Sequence, residues 1–312
     1  MSDRSHVLVL GAGYLAGHIG QRLYAAGHRV TVSSRHRPST PETRRLDWFA
    51  VDVAARDRVA ALVDATRPDA VVCVHGPSDI TWCEANPGPA LAAHRDGAGH
   101  LAHALDGRRV LLISTDNVFS GREPSCAESA TTEPANAYGR AKLAAEDTLL
   151  ATGNALALRV SLVYGWDEAG LRPNFFTTCA RRLIAGERVE VPEDHWNSPV
   201  LVHDVAAWTA ALLDSAHTGV LHLGGPRRLS RVEWARHIAA VRGADPDLVV
   251  PVPRDRSAYA CRPRNACLHS ERADGIPELA GLAPADVLDA SEQLITTGPV
   301  KAGLSMMGED HT

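Results

Sequence analysis

The chain has 312 residues, 45% of them hydrophobic and 22% charged, enough for a sizeable core in one large domain or two closely joined ones. Its formal net charge of −5 offers no broad basic face, so nucleic acid is not an expected partner. No stretch reaches the roughly 18 apolar residues of a membrane span, and the N-terminal run Val7–Leu10 is too short for a signal peptide, so a cytoplasmic protein is expected.

In chain order, the first strand-like run is His6–Leu10, continuous rather than alternating, as in a parallel strand covered on both faces. It runs straight into Gly11-Ala12-Gly13-Tyr14-Leu15-Ala16-Gly17, and a helix is predicted near 15–26. Strand, G-x-G-x-x-A and helix in that order form a dinucleotide site. Gly11 permits the tight turn, Gly13 lets backbone approach a pyrophosphate, and Ala16 lets the helix pack near the strand. The pyrophosphate sits on the helix start, whose free N–H groups favour anions. Tyr14 and Leu15 of the same turn join Gly11 and Gly13 as cofactor-binding candidates.

The next run, Arg29–Ser33, ends on Ser34-Arg35-His36-Arg37. An NAD site wants an acidic residue there for the ribose 2′-hydroxyl. Arg35 and Arg37, with Ser34, instead suit a 2′-phosphate through charge-assisted hydrogen bonds, so NADP(H) is favoured over NAD(H). Trp48–Val53 is the third run, and Asp52 and Val53 at its end fall where an adenine edge lies. Helical patterns near 56–66, 88–106 and 136–152 alternate with the runs Ala70–Val74, Val110–Ser114 and Ala155–Ser161. This alternation predicts an α/β, Rossmann-type doubly wound parallel sheet.

Thr115 follows the fifth run, at the carboxyl edge where such sheets bind ligands. Tyr138-Gly139-Arg140-Ala141-Lys142 opens the helix after it. Residues four apart share a helical face, and an ammonium beside a phenol favours the phenolate, so the pair can pass a proton near neutral pH. A hydroxyl able to hold a carbonyl oxygen, a tyrosine and a lysine make a carbonyl-reduction centre, with Thr115, Tyr138 and Lys142 as catalytic candidates.

After about residue 165 the rhythm breaks into Pro, Asn, Trp and charges. Short helices fit 175–185 and 203–215, and another fits Ser230 onward, where Ser230 and Glu233 make a capping box. The reading divides the chain into 1–165, a dinucleotide-binding domain; 166–295, a smaller C-terminal substrate-binding domain with some segments able to return to the sheet; and a frayed tail, 296–312. The six cysteines and 15 histidines are dispersed, with no C-x-x-C and no H-E-x-x-H. Buried free thiols and no metal site are expected.

Together GAGYLA, ISTDNVF, YGRAK, NFF and NSPVLVHDVA resemble the extended short-chain dehydrogenases, and among them the dTDP-4-dehydrorhamnose reductases, over about residues 6–290. The resemblance implies an NADPH-dependent reductase of a nucleotide-linked keto sugar, a dTDP-4-keto-6-deoxyhexose 4-ketoreductase, with a homodimer as a common state. It implies that Tyr138 protonates the nascent alkoxide, that Lys142 binds the nicotinamide ribose and tunes Tyr138, and that Thr115 polarises the carbonyl. Asn174 and Phe175 match an Asn-Phe pair near the sugar nucleotide, and Arg262 of Arg262-Pro263 is the candidate for a diphosphate. Asp116 and Asn117, next to the threonine, complete the substrate-binding candidates. The superfamily's sugar-nucleotide dehydratases carry Asp-Glu at those two positions; Asn117 has no acid–base capacity, which disfavours dehydration. His94 stands where the superfamily usually has Asn, and Asp194-His195-Trp196-Asn197 departs from the usual start of its segment. The alternatives are a nucleotide-sugar epimerase, which Arg35 and Arg37 argue against because such enzymes usually hold NAD, and a non-catalytic dinucleotide-binding regulatory subunit.

Overall fold

The computed structural model describes residues 5–38, 43–167, 173–256 and 259–298. Seven parallel strands form the central sheet: β1 (His6–Leu10), β2 (Arg29–Ser34), β3 (Asp47–Ala50), β4 (Ala70–Cys73), β5 (Arg109–Thr115), β6 (Ala155–Val160) and β7 (Gly219–Leu223). Their order is β7-β6-β5-β4-β1-β2-β3. The chain order reverses direction at β1, between β2 and β4, which opens a crevice at the carboxyl ends of those strands.

Both faces are covered, and β1 shows why its run is continuous. Val7 and Val9 pack with Ile19, Leu23, Trp208 and Leu212 on one face, and Leu8 and Leu10 pack with Val59, Leu62, Leu101 and Leu149 on the other. The first face carries helices α1 (Tyr14–Ala25) and, from the second half, Val202–Leu213. The second face carries α2 (Arg56–Thr66), α3 (Gly97–Leu105) and α4 (Ala137–Leu150). The second half also builds its own core on the fully buried rings of Tyr164, Phe176 and Trp234. Its helices are α5 (Phe175–Ile184), α6 (Val202–Leu213), α7 (Arg231–Arg242) and α8 (Val287–Thr297).

The sequence and the structure part at a few places. The third strand begins one residue earlier and stops at Ala50, because Asp52 turns the chain by accepting from Ala54 N at 3.0 Å. The helix expected at 88–106 is three pieces: Pro87–Leu91, a π-helical turn Ala92–Asp96, and α3. A π turn widens a helix by one residue, and here it carries His94 into the crevice. The helix Ile80–Ala85, started by Asp79 capping Trp82 N, lacked an apolar period to announce it. β7 comes from the second half and pairs with β6, setting His222 beside Arg159. Thr297 ends α8, and the tail from residue 299 lies outside the described residues.

Candidate active site

Gly11 sits at φ +136°, and a Cβ there would press on the Val74 carbonyl at 3.1 Å, so the turn after β1 accepts glycine alone. Gly13 is different: a Cβ would meet nothing within 4 Å. It is the N-cap of α1, with no side-chain cap and no acidic residue in the first turn. The helix start therefore presents uncapped N–H donors and the positive end of its dipole to open space. After β2, Ser34 Oγ donates to His36 O and accepts from Trp48 Nε1 at 3.0 Å, which shapes the loop bearing the exposed Arg35 and Arg37. An uncapped helix start, a glycine whose side-chain space is empty, and two solvent-facing arginines at the end of β2 fit a dinucleotide with a 2′-phosphate.

The catalytic candidates are held by the start of α4. Asn136 caps it, accepting from Gly139 N at 2.8 Å, and donates to Asn117 Oδ1 at 2.9 Å. A Cβ on Gly139 would fall 2.0 Å from Asn117 O, so glycine lets the helix start dock on the loop after β5. Lys142, buried, donates to Ile113 O. Burial pulls its ammonium down to about 8, against the upward pull of Glu146. Glu146 is buried one turn along, taking a hydrogen bond from Ser114 and a paired contact from Arg159 at 2.7 Å. Thr115 Oγ1 donates to Asp116 Oδ1 at 3.2 Å and accepts from the Asn117 backbone at the same distance. Asp116 is pushed up to about 6 by burial, opposed by hydrogen bonds such as that from Asn117 Nδ2 at 2.7 Å.

His94 reaches this centre from the π turn. Its ring stands edge-on to Tyr138, 5.7 Å between centroids at 71°. Nε2 lies 2.9 Å from Pro77 O. A carbonyl only accepts, so Nε2 carries the hydrogen. Burial drives the imidazole down to about 3, helped by the Lys142 charge. The ring fills the space of the missing side chain of Gly76 (φ +94°), where a Cβ would lie 2.3 Å from it.

On the opposite wall, Asn174 caps α5: it accepts from Thr177 N at 3.1 Å and donates to Gly165 O at 2.7 Å, so its amide is committed to backbone. Arg262 Nη1 donates to Thr81 at 3.3 Å, and its guanidinium stacks on Tyr259 at 5.0 Å. Phe175 lies under Arg231 at 4.3 Å. One cavity of about 1540 Å³ gathers both walls, larger than the ~300–1,000 Å³ of a single small-ligand site. Every site residue singled out above lines it: Gly11, Gly13, Tyr14, Leu15, Ser34, Arg35, Arg37, Asp52 and Val53 at the cofactor end; Thr115, Asp116, Asn117, Tyr138 and Lys142 at the centre; Asn174, Phe175 and Arg262 opposite.

The same cavity is lined by His75, Arg231 and Tyr259, which the sequence does not single out, and by His195 of the segment that departs from the family pattern. Arg231 did leave a signal. It is the first residue of α7, directly after the Ser230 cap, and a cation at a helix start opposes the dipole. His75, pulled down to about 4 by burial, lies just beyond β4 and carries no such mark.

Comparison with known proteins agrees with this geometry. A family model described as "RmlD substrate binding domain" matches residues 5–279. The chain is 34% identical over 275 residues to the dTDP-4-keto-6-deoxy-D-glucose reductase of Streptomyces niveus, covering 86% of this chain and 89% of that one. It is 34% identical over 295 residues to the dTDP-4-dehydrorhamnose reductase of Mycobacterium tuberculosis, covering 91% and 90%. Among solved structures, dTDP-4-dehydrorhamnose reductase from Bacillus anthracis in complex with NADP superposes with a TM-score of 0.79 at 22% identity, over 96% of this chain and all of that one, a likeness of fold. Matched over most of its length by this family model and by these relatives, the chain belongs to the RmlD substrate-binding-domain family of the extended short-chain dehydrogenases.

Proposed function

We propose that this protein is an NADPH-dependent reductase acting on the C4 ketone of a nucleotide-linked 4-keto-6-deoxy sugar; its relatives are named dTDP-4-keto-6-deoxy-D-glucose reductase and dTDP-4-dehydrorhamnose reductase. The observation that carries the reading is one cavity shared by the uncapped helix start at Gly13 and the Thr115, Tyr138 and Lys142 side chains. When bound, the dinucleotide supplies a hydride. The chain's own residues hold and move the proton. Tyr138 gives its phenolic proton to the carbonyl oxygen as that oxygen gains charge. The Lys142 ammonium stabilises the phenolate left behind, and its position is set by Ile113 O. Thr115 turns its hydroxyl from Asp116 toward the same oxygen; the 3.2 Å bond it gives up is a long one. The edge of the His94 ring borders Tyr138 and limits the orientations open to the phenol during this transfer.

The same proposal includes a cytoplasmic protein and a homodimer. Among the described residues no helix is long and apolar enough to cross a membrane. Sedimentation at micromolar concentration tests the dimer.

The deciding experiment titrates the protein with NADPH and NADH, then follows NADPH oxidation with dTDP-4-keto-6-deoxyglucose, with and without a 3,5-epimerase. Turnover with tight NADPH binding is expected. Tyr138→Phe should lower turnover by about 10²–10⁴-fold with NADPH binding nearly intact; unchanged turnover sinks the mechanism. Dinucleotide binding with no turnover on any ketone offered indicates a regulatory subunit.

A further inference from the structure

Asn117 stands in the catalytic centre with both of its amide hydrogens already placed. Its Nδ2 donates to Asp116 Oδ1 at 2.7 Å and to Thr115 Oγ1 at 3.2 Å, and its Oδ1 accepts from Asn136 Nδ2 at 2.9 Å. An amide has two N–H hydrogens, and both are committed inside the loop after β5. Thr115, Asp116, Asn117 and Asn136 are all buried, in surroundings where such bonds are stronger than in water.

The sense of this chain is forced from its ends. A backbone N–H only donates and a backbone carbonyl only accepts. Gly139 N, one residue past Tyr138, donates to Asn136 Oδ1 at 2.8 Å, and Cys261 O accepts from Asn136 Nδ2 at 3.1 Å. The oxygen of Asn136 is thereby fixed on the helix start and its Nδ2 on Asn117. That sets the acceptor Oδ1 of Asn117 toward Asn136 and the donor Nδ2 toward Thr115 and Asp116. An ionised carboxylate only accepts, so Asp116 favours the same sense from the other end.

The consequence falls on Thr115. A hydroxyl accepts at two lone pairs and donates once. Asn117 fills both acceptor positions, with its backbone N and its Nδ2, each at 3.2 Å. What is left to the hydroxyl is its hydrogen. That hydrogen rests on Asp116 Oδ1 at 3.2 Å, an oxygen that already takes the shorter bond from Asn117 Nδ2. Giving up so long a bond for a carbonyl oxygen in the cavity costs little.

We infer that Asn117 is a positioning residue: oriented by Asn136 from the start of the catalytic helix, it makes the Thr115 hydroxyl a donor only, ready for the substrate's carbonyl oxygen. This rests on reading the cavity as a ketone-reduction site. Asn117 then serves Thr115 rather than the substrate, and the two catalytic segments, the end of β5 and the start of α4, share one hydrogen-bonded chain that runs from Gly139 N to Thr115 Oγ1.

Two double-mutant cycles test it, Asn117→Leu with Thr115→Val and Asn136→Ser with Thr115→Val. Each is read in kcat and KM with dTDP-4-keto-6-deoxyglucose, in NADPH affinity and in urea unfolding. Asn117→Leu keeps the volume and removes the amide. Asn136→Ser keeps an acceptor for Gly139 N and removes the donor, so it carries the test if Asn117→Leu does not fold. Thr115→Val should lower kcat by about 10²-fold, the size of one lost oxyanion donor. Asn117→Leu should lower kcat by roughly 10–10²-fold with KM and NADPH affinity nearly unchanged, and Asn136→Ser by a smaller factor in the same pattern. In the Thr115→Val background both losses should vanish, because the group they act through is gone. A loss of kcat that persists in that background overturns the proposal. So does a raised KM with kcat unchanged, which would make Asn117 a substrate contact, and so does unchanged kcat in a folded Asn117→Leu. If wild type reduces no ketone, the reductase reading fails and unfolding decides on the chain alone. Asn117→Leu and Thr115→Val should then destabilise by less together than in sum, since each leaves the other's group unpaired; additive losses overturn it.

Discussion

Two arginines in this molecule are equally buried and lead opposite lives. Arg159, on β6 beneath the catalytic helix, is 4% exposed, as is Arg231 on the substrate wall. Arg159 gives Nε and Nη2 to Glu146, and Nη1 lies 3.4 Å from His222 Nε2. Among the described residues, Arg231 Nε and Nη1 are buried without a hydrogen-bond partner. Burial alone does not tell how a charge is satisfied; the pairing has to be read atom by atom. A second contrast divides the walls of the cavity. The cofactor wall is built from segments close together in the chain, with Gly11 and Gly13 in one turn, whereas the opposite wall gathers side chains from distant parts of the chain.

The largest effect should come from breaking the paired arginine. Glu146→Gln leaves Arg159 charged in a buried site, and loss of one partner of a buried pair costs about 3–5 kcal/mol. Denaturant unfolding should show that loss, whereas Arg231→Met should show none. A mild cost for Glu146→Gln would erase the distinction between the two arginines. Smaller is the cofactor-wall test. Arg35 and Arg37 replaced together by Ala should weaken NADPH roughly 10-fold or more and leave NADH nearly unchanged, because only NADPH carries the 2′-phosphate. Equal loss for both dinucleotides would remove that assignment.

The two walls also differ in how far the sequence discloses them. Gly11, Gly13, Arg35, Tyr138 and Lys142 were readable because each motif is local: a strand end, a turn and a helix start adjacent in the chain. The seven-strand sheet was nearly so, since β1, β4, β5 and β6 are largely apolar runs and β2 sets Val30 and Val32 among polar residues. β7 was hidden because Gly219–Leu223 follows a polar segment, and its pairing with β6 is a tertiary fact. Arg231, Tyr259 and Phe175 lie far apart in sequence, and no spacing rule joins them. Asn174 could be picked out as a site residue, but its role as the cap of α5 shows only in the hydrogen bonds.

The last predicted effect, of a size similar to the one before it, concerns pH and tests whether His94 belongs to the structural class of Arg159. His94 falls from an ordinary 6.5 to about 3, mainly through burial. Its Nε2 hydrogen is committed to Pro77 O. Below pH 6.5 the unfolded chain takes up a proton on this ring that the folded chain refuses until about 3. Protons bound in excess by the unfolded state mean that stability falls as pH falls through that window. At pH 5 the difference corresponds to about 2 kcal/mol from His94. His75, lowered to about 4, acts in the same direction. Asp116, raised to about 6 from 3.8, acts oppositely, because the folded state binds its proton first. His94→Asn removes one titrating ring and leaves an amide able to donate to Pro77 O. Its stability should therefore decline between pH 7 and pH 5 by about 2 kcal/mol less than that of wild type, read from urea unfolding at the two pH values. An equal decline in both proteins would mean that the folded His94 takes up its proton over the same range as the unfolded chain, and the burial-driven lowering assigned to it would have to be withdrawn.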